Sequence, residues 1–189
     1  FISAEAAAPS NHRPARVRMH RMRHLLLKAK GGHDRPPPPH GQHILISGSC
    51  SFAAVALLAW LSEVSLHPLV LGSFGASCVL LFGYPDSPFS QPRNIVVGHA
   101  LSTLVGLTLL TQVGSHWWSM GMAVALAIML MMKFGVMHPP AGSNPLIVML
   151  LQPGWSFLVT PTLAGALLLV LLGVVLINLQ TEKHYPRYW

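Results

Sequence analysis

Residues 137–145 read Met-His-Pro-Pro-Ala-Gly-Ser-Asn-Pro and drop three prolines and a glycine into an otherwise apolar stretch. Proline lacks the amide hydrogen, and its ring collides with the preceding turn, so no regular helix runs through such a segment. In hydrocarbon, each unpaired N–H or C=O costs several kcal/mol. Broken backbone persists there only where protein buries it or where it lines a hydrated cavity. The segment therefore points to binding or passage of a polar solute.

That argument needs a bilayer, and the composition supplies it: of 189 residues, 52% are hydrophobic and 9% charged, the balance of an integral membrane protein. The formal net charge of +7 belongs mostly to one end. Eight of the 12 Lys and Arg residues (Arg13, Arg16, Arg18, Arg21, Arg23, Lys28, Lys30, Arg35) precede the first apolar run. A basic tail at that place follows from the positive-inside rule and from attraction to anionic lipid head groups, and it argues against a nucleic-acid partner. Residues 1–18 begin at Phe1 and read as upstream translation, an added remnant or a targeting segment, with Met19 and Met22 as candidate starts. Residues 22–30 suit a short amphipathic turn on the membrane surface, and Pro36 to Pro39 make an extended spacer. The expected organisation is a basic, proline-containing cytoplasmic tail over 1–43, a transmembrane domain over 44–180 and a short tail over 181–189.

The expected fold is an all-α polytopic membrane protein of six segments. Four, at 44–66, 95–112, 117–133 and 157–179, come close to the ~20 residues that a ~30 Å hydrocarbon core requires. Two shorter ones, at 69–83 and 141–151, read as broken half-helices. Each follows a histidine-proline pair, His67-Pro68 or His138-Pro139-Pro140, and runs through small polar residues and an aliphatic stretch to a proline, Pro85 or Pro153. If all six segments cross, Arg93, Lys133, Lys183 and Arg187 fall on the side of the basic tail. The shared order and this charge placement point to an inverted three-segment repeat with both termini cytoplasmic.

The breaks carry donors rather than acids. Ser73, Gly75 and Ser77 in one, and Gly142, Ser143 and Asn144 in the other, offer hydroxyls, an amide and approachable backbone N–H groups at helix starts. Glu63 lies near the end of the first span, Asp86 in a loop and Glu5, Asp34 and Glu182 in tails, so the carboxylate that a cation-coupled carrier often holds at mid-span is missing. His67, His99 and His138 lie in or beside apolar runs, and an imidazole at His138 suits pairing with an anion or weak acid. Their spacing suggests no metal site. No nucleophile-base arrangement is visible, so neither catalysis nor a cofactor is expected. Arg93 and Asn94 close a proline-rich loop in which Asp86 is the expected partner of Arg93, with a gate or a hold on phosphate head groups as its role. Gly98, Ser102 and Gly106 recur at every fourth position and suit close helix packing, within the bundle or between protomers.

His138-Pro139-Pro140, with Gly75-Ala76-Ser77, Ser87-Pro88, Gln91-Pro92-Arg93-Asn94 and Gly98-His99 in this layout, resembles the HPP family of integral membrane proteins over approximately 40–180. That family is usually described with four spans, and the resemblance implies transport, since plastid and cyanobacterial members are associated with nitrite movement. The sequence is thus expected to form a homo-oligomer among the lipids of a bacterial inner membrane and to pass a small inorganic anion, nitrite first. The expected site residues are His138, Pro139, Pro140, Gly142, Ser143, Asn144, Ser73, Gly75, Ser77, His67, Arg93, Asn94 and His99. The competing expectation is a membrane-embedded structural or assembly subunit whose broken helices only pack.

Overall fold

A computed structural model of the protein describes residue 24 and residues 27–29, 35–180 and 183–189. The readings of 1–18, Met19, Met22 and most of 22–30 lie outside the described residues. Internal contacts divide the chain into Phe1–Pro38 and Pro39–Trp189, and all that follows concerns the second unit.

Six α-helices are described there: α1 (Gly41–Ser65), α2 (Ser73–Gly83), α3 (Pro92–Val113), α4 (Trp117–Lys133), α5 (Asn144–Leu151) and α6 (Ala164–Asn178). Short 3-10 turns at Pro88–Ser90, Pro139–Ser143 and Trp155–Leu158 and a π-turn at Val159–Leu163 join them, with no strand among the described residues. Three stretches are long and apolar enough to cross a membrane: Gly41–Ser65, Pro92–Val113 and Trp155–Asn178. The fourth expected span, α4, has 17 residues, or about 25 Å at ~1.5 Å per residue, a little short of a ~30 Å core. Helices α2 and α5, with 11 and 8 residues, are shorter still.

Local chemistry sets these boundaries. α1 ends where Leu66 turns left-handed at φ 57°, just before His67-Pro68. Pro92 opens α3 at the one helical position where a missing N–H is harmless. His116 caps α4 in a box with Ser119, whose Oγ accepts the His116 backbone N–H at 2.8 Å. The stretch expected as one helix from 157 to 179 is interrupted: Thr160 is extended (φ −127°, ψ 124°) before Pro161, because a residue preceding proline avoids the right-handed helical region.

α3 is the platform of the unit. It touches α4, α5, α6 and all four short turns, and glycines let its neighbours come close. A Cβ at Gly98 would meet His138 Cβ at 2.9 Å and Val136 O at 3.1 Å, and one at Gly106 would meet Pro145 Cα at 3.0 Å. Between them Ser102 Oγ donates to Ala141 O at 2.5 Å. The small-residue stripe of α3 therefore packs inside the chain, against the proline-broken segment. On α6, Gly165 and Gly173 likewise receive Phe74 and Leu81 of α2. Helix α1 lies against α2 and α6 and buries Ala54 and Leu58.

Residues 183–189 clasp the loop between α2 and α3. Tyr185, 1% exposed, donates its hydroxyl to Ser90 O at 2.8 Å and is pinned through its backbone N–H to Asn178 Oδ1 at 2.8 Å. Burial pushes the Tyr185 phenol up, so it remains a donor. Arg187 takes Asp86 at 2.7 Å, while Arg93 lies exposed with Nη2 on Phe134 O at 3.2 Å. The expected Asp86–Arg93 pair is thus replaced by one across 101 residues. The Asp86–Arg187 pair is half-exposed on both sides, which leaves it a minor contribution.

Gly165→Ala is expected to destabilise the bundle by about 1–3 kcal/mol through overpacking against Leu69 O and Phe74. Gly121→Ala, in open space on α4, is expected to be neutral or stabilising by up to ~1 kcal/mol. Thermal unfolding in detergent reads both, and equal effects contradict the packing assignment. In the same assay Tyr185→Phe is expected to lose about 1 kcal/mol and Asp86→Ala less, so a reversed order would show the clasp to be held by the ion pair.

Candidate functional site

Ser73 and Asn144 are the first residues of the two short helices, and Ser73 Oγ donates to Asn144 Oδ1 at 2.7 Å. Two proline-linked breaks, 71 residues apart in sequence, thus meet side chain to side chain. They meet beside the middle of α3, since His99 and Thr103 flank the midpoint of that 22-residue helix.

The breaks open onto a continuous line of buried polar groups. Ser73, Ser77, His99, Thr103, His138, Asn144 and Thr162 are all buried, and the buried polar set among the described residues contains no Asp, Glu, Lys or Arg. With no counter-ion in that set, and with the two imidazole centroids 4.9 Å apart, a charge here would be strongly disfavoured, so both rings are neutral.

Neutrality fixes the direction of the hydrogen bonds around the two rings. A carbonyl oxygen only accepts, so His138 Nδ1 carries the hydrogen that it gives to Phe89 O at 2.7 Å. His138 Nε2 is then bare and accepts from Ser77 Oγ at 2.8 Å. Ser77 has one hydrogen, so its oxygen accepts from His99 Nε2 at 3.0 Å, and His99 Nδ1 accepts from Asn144 Nδ2 at 3.0 Å. The other Asn144 N–H reaches Thr103 Oγ1 at 2.9 Å, and Thr103 Oγ1 lies 3.3 Å from Thr162 Oγ1, where either hydroxyl can be the donor. The histidines therefore hold opposite tautomers, Nε2–H in His99 and Nδ1–H in His138. Phe74 closes the apolar side, edge-on to His99 with centroids 5.1 Å apart.

Of the expected site residues, the structure brings Ser73, Ser77, His99, His138 and Asn144 together. Pro139 and Pro140 form the turn that delivers His138, with Pro140 buried and Pro139 exposed. Gly142 and Ser143 are half-buried, and Ser143 Oγ returns to Pro140 O at 2.8 Å. Gly75 is exposed on α2, and His67 is exposed with Nδ1 2.7 Å from Ser65 O. Asn94 is buried; its Nδ2 holds Met137 O at 2.9 Å, beside His138, while its Oδ1 has no partner. Among the described residues no three His, Cys, Asp or Glu are grouped to hold a metal.

Sequence reasoning missed Thr103 and Thr162. Thr103 lies four residues after His99 on one face of α3, the spacing that stacks side chains along a helix. Thr162 follows Pro161, and the proline was itself the signal that the backbone opens there.

A family model described as HPP, transmembrane region, matches residues 36–186. The chain belongs to the HPP family. Two transmembrane proteins of Dictyostelium discoideum are similar to it. One is 36% identical over 172 residues, covering 84% of this chain and 60% of the relative. The other is 34% identical over 174 residues, covering 86% of this chain and 56% of the relative. The chain thus spans somewhat over half the length of the curated relatives it matches. No solved structure matches it. The HPP match contains the whole polar line, together with Tyr185 of the clasp.

In lipid, with 15N-labelled histidine, magic-angle-spinning NMR is expected to find two histidines protected from solvent exchange, one protonated at Nδ1 and one at Nε2. His138→Gln should remove the Nδ1–H species and His99→Gln the other. Two protected histidines sharing one tautomer would contradict the assigned direction.

Proposed function

We propose that this HPP protein passes a small inorganic anion, with nitrite as the leading substrate, through the joint where α2 and α5 begin. The observation that carries the reading is the Ser73 Oγ–Asn144 Oδ1 contact of 2.7 Å, a buried polar joint between two broken segments beside the middle of a span. An anion entering there exchanges hydrogen bonds and needs no new buried charge partner. The Ser73 hydroxyl and the Asn144 amide turn from each other and from His99 to the solute. Hydroxyl and amide donors without a lysine or arginine favour loose binding, which suits release as much as entry.

In this reading α4 completes a fourth span, α2 and α5 act as opposed half-helices of an inverted repeat, and both termini face the cytoplasm of an inner membrane. The grouping of the basic residues supports that orientation: Arg93 Nη2 reaches Phe134 O, next to Lys133, and Arg187 pairs with Asp86 in the loop that leads to Arg93. Assembly with a second copy has lost the α3 stripe as support, because that face packs within the chain. Helix α1, which buries only Ala54 and Leu58, is the face that remains for lipid or another protomer.

A structural or assembly subunit is the second reading, and one observation favours it: the hydrogen bonds from Phe89 O to Thr162 form one continuous buried chain. Such a network also serves to fix one packing.

Liposomes carrying the full chain, with nitrite detected inside at mildly alkaline pH, separate the two. The transport reading expects uptake above protein-free vesicles, cut by about tenfold or more in Asn144→Ala, while Gly121→Ala, remote from the joint, keeps parental uptake. Folded parent protein that moves no nitrite or other small anion gives the subunit reading precedence.

A further inference from the structure

We propose that His99, Ser77 and His138 form a proton relay that couples solute passage to proton movement between the α2–α5 joint and the membrane face at Phe89. This inference rests on the transport reading for its coupling partner.

A relay needs groups that both donate and accept, aligned head to tail. Neutral imidazole has one nitrogen for each role, and a hydroxyl does both at one atom. The three members are joined at 3.0 Å and 2.8 Å, all fully buried. One end, His99 Nδ1, faces the Asn144 amide at 3.0 Å, where the solute is proposed to enter. The other, His138 Nδ1, faces the carbonyl of Phe89 at 2.7 Å. Phe89 lies in the turn Pro88–Ser90 between α2 and α3 and is 39% exposed, while His138 is fully buried, so this end lies just beneath the surface turn. The clasp holds that turn in place: Ser90 O accepts from Tyr185 and Pro88 O from Tyr188, which leaves Phe89 O for the histidine. Asn94 Oδ1, buried and unpartnered on the residue that holds Met137 O, adds an acceptor for a water or hydronium hydrogen near the same end.

The transfer balances. When the solute draws the Asn144 amide away, a hydronium or a weak acid gives a proton to His99 Nδ1. His99 Nε2 releases its hydrogen to Ser77 Oγ, Ser77 passes its own to His138 Nε2, and His138 Nδ1 gives its hydrogen to water past Phe89. One proton enters and one leaves, and nothing is oxidised or reduced. The product state sets a bare Nδ1 against the Phe89 carbonyl, two acceptors face to face. Rotation turns the Ser77 hydroxyl back, and each imidazole regains its starting tautomer by taking one proton from water at its bare nitrogen and giving one to water from the other. No carboxylate, ammonium or guanidinium is buried with the relay among the described residues. Cys78, the titratable side chain nearest on α2, packs in the apolar cluster instead.

The test uses the full chain in liposomes with a pH-reporting dye inside, a potassium diffusion potential, and nitrite present or absent. Protein-free vesicles subtract passive leak of nitrous acid. The parent is expected to move protons with nitrite. Ser77→Ala should lower the proton-to-nitrite ratio by about tenfold or more, and Ser77→Thr, which keeps the hydroxyl, should preserve it. His99→Gln keeps a donor and an acceptor but passes no proton, so it should behave as Ser77→Ala and cover the case in which that variant misfolds. An unchanged ratio in the folded variants, or parental nitrite uptake without proton movement, overturns the relay. Should the parent move no nitrite, the transport reading fails, and the nitrite-free arm decides the relay alone. Potential-driven proton flux lost in Ser77→Ala supports it, and flux no greater than in protein-free vesicles overturns it.

Discussion

A polar group freed inside a bilayer has no water to return to, and this protein meets that constraint by pairing one break with another. Pro68 and Pro139-Pro140 stand in the segments that follow α1 and α4, and each is followed by a short helix beginning with a polar residue. Ser73 and Asn144, those first residues, satisfy one another at 2.7 Å. Alone, either side chain would present an unmet polar group to hydrocarbon at a cost of several kcal/mol. Together they make a buried joint, and every polar residue on the line from Phe89 to Thr162 follows from the need to complete it.

α3 turns this pairing into a fixed geometry. Its glycines at 98 and 106 let the 136–148 segment approach within distances that a methyl group would obstruct, and Ser102 between them caps the Ala141 carbonyl. The same helix supplies His99 and Thr103, so the face that packs closely and the face that bonds are adjacent along one platform. Interhelical hydrogen bonds in membranes contribute only about 0.6 kcal/mol each on average. The network is thus a weak source of net stability but a strong source of specificity, because breaking one bond without a replacement is far more costly than forming it is favourable.

Much of this was legible in the sequence. Hydropathy and proline placement located the helices, and the His-Pro pairs marked the two that are short. The polar residues after them included Ser73, Ser77 and Asn144. Partners distant in sequence were not legible, because a spacing of 61 or 71 residues carries no local signal: Ser77 to His138 and Ser73 to Asn144 are set by how α2 and α5 lean on α3. His67 and His138 looked alike by motif, yet the first lies at an exposed helix end and the second beneath a glycine. Asp86 was similarly drawn to Arg93 by proximity, while the chain folds Arg187 onto it. The break at Thr160 was visible in Pro161 but was outweighed by the long apolar run that surrounds it.

A connected buried network and the proposed transport path are compatible because the network is made of exchangeable partners. Asn144 presents two N–H groups and one acceptor, and it contacts Ser73, His99 and Thr103 at 2.7, 3.0 and 2.9 Å. A single rotation of that amide releases one hydroxyl, one ring nitrogen and one threonine together. A solute bearing several acceptor atoms can take over those donors nearly one for one, so the barrier lies in the exchange rather than in creating a charged cavity. A permanent buried cation would bind the same anion more tightly and hold it longer. Under the proposed transport, neutral donors at the joint of two broken helices give up affinity for turnover, the balance that passage through a membrane requires.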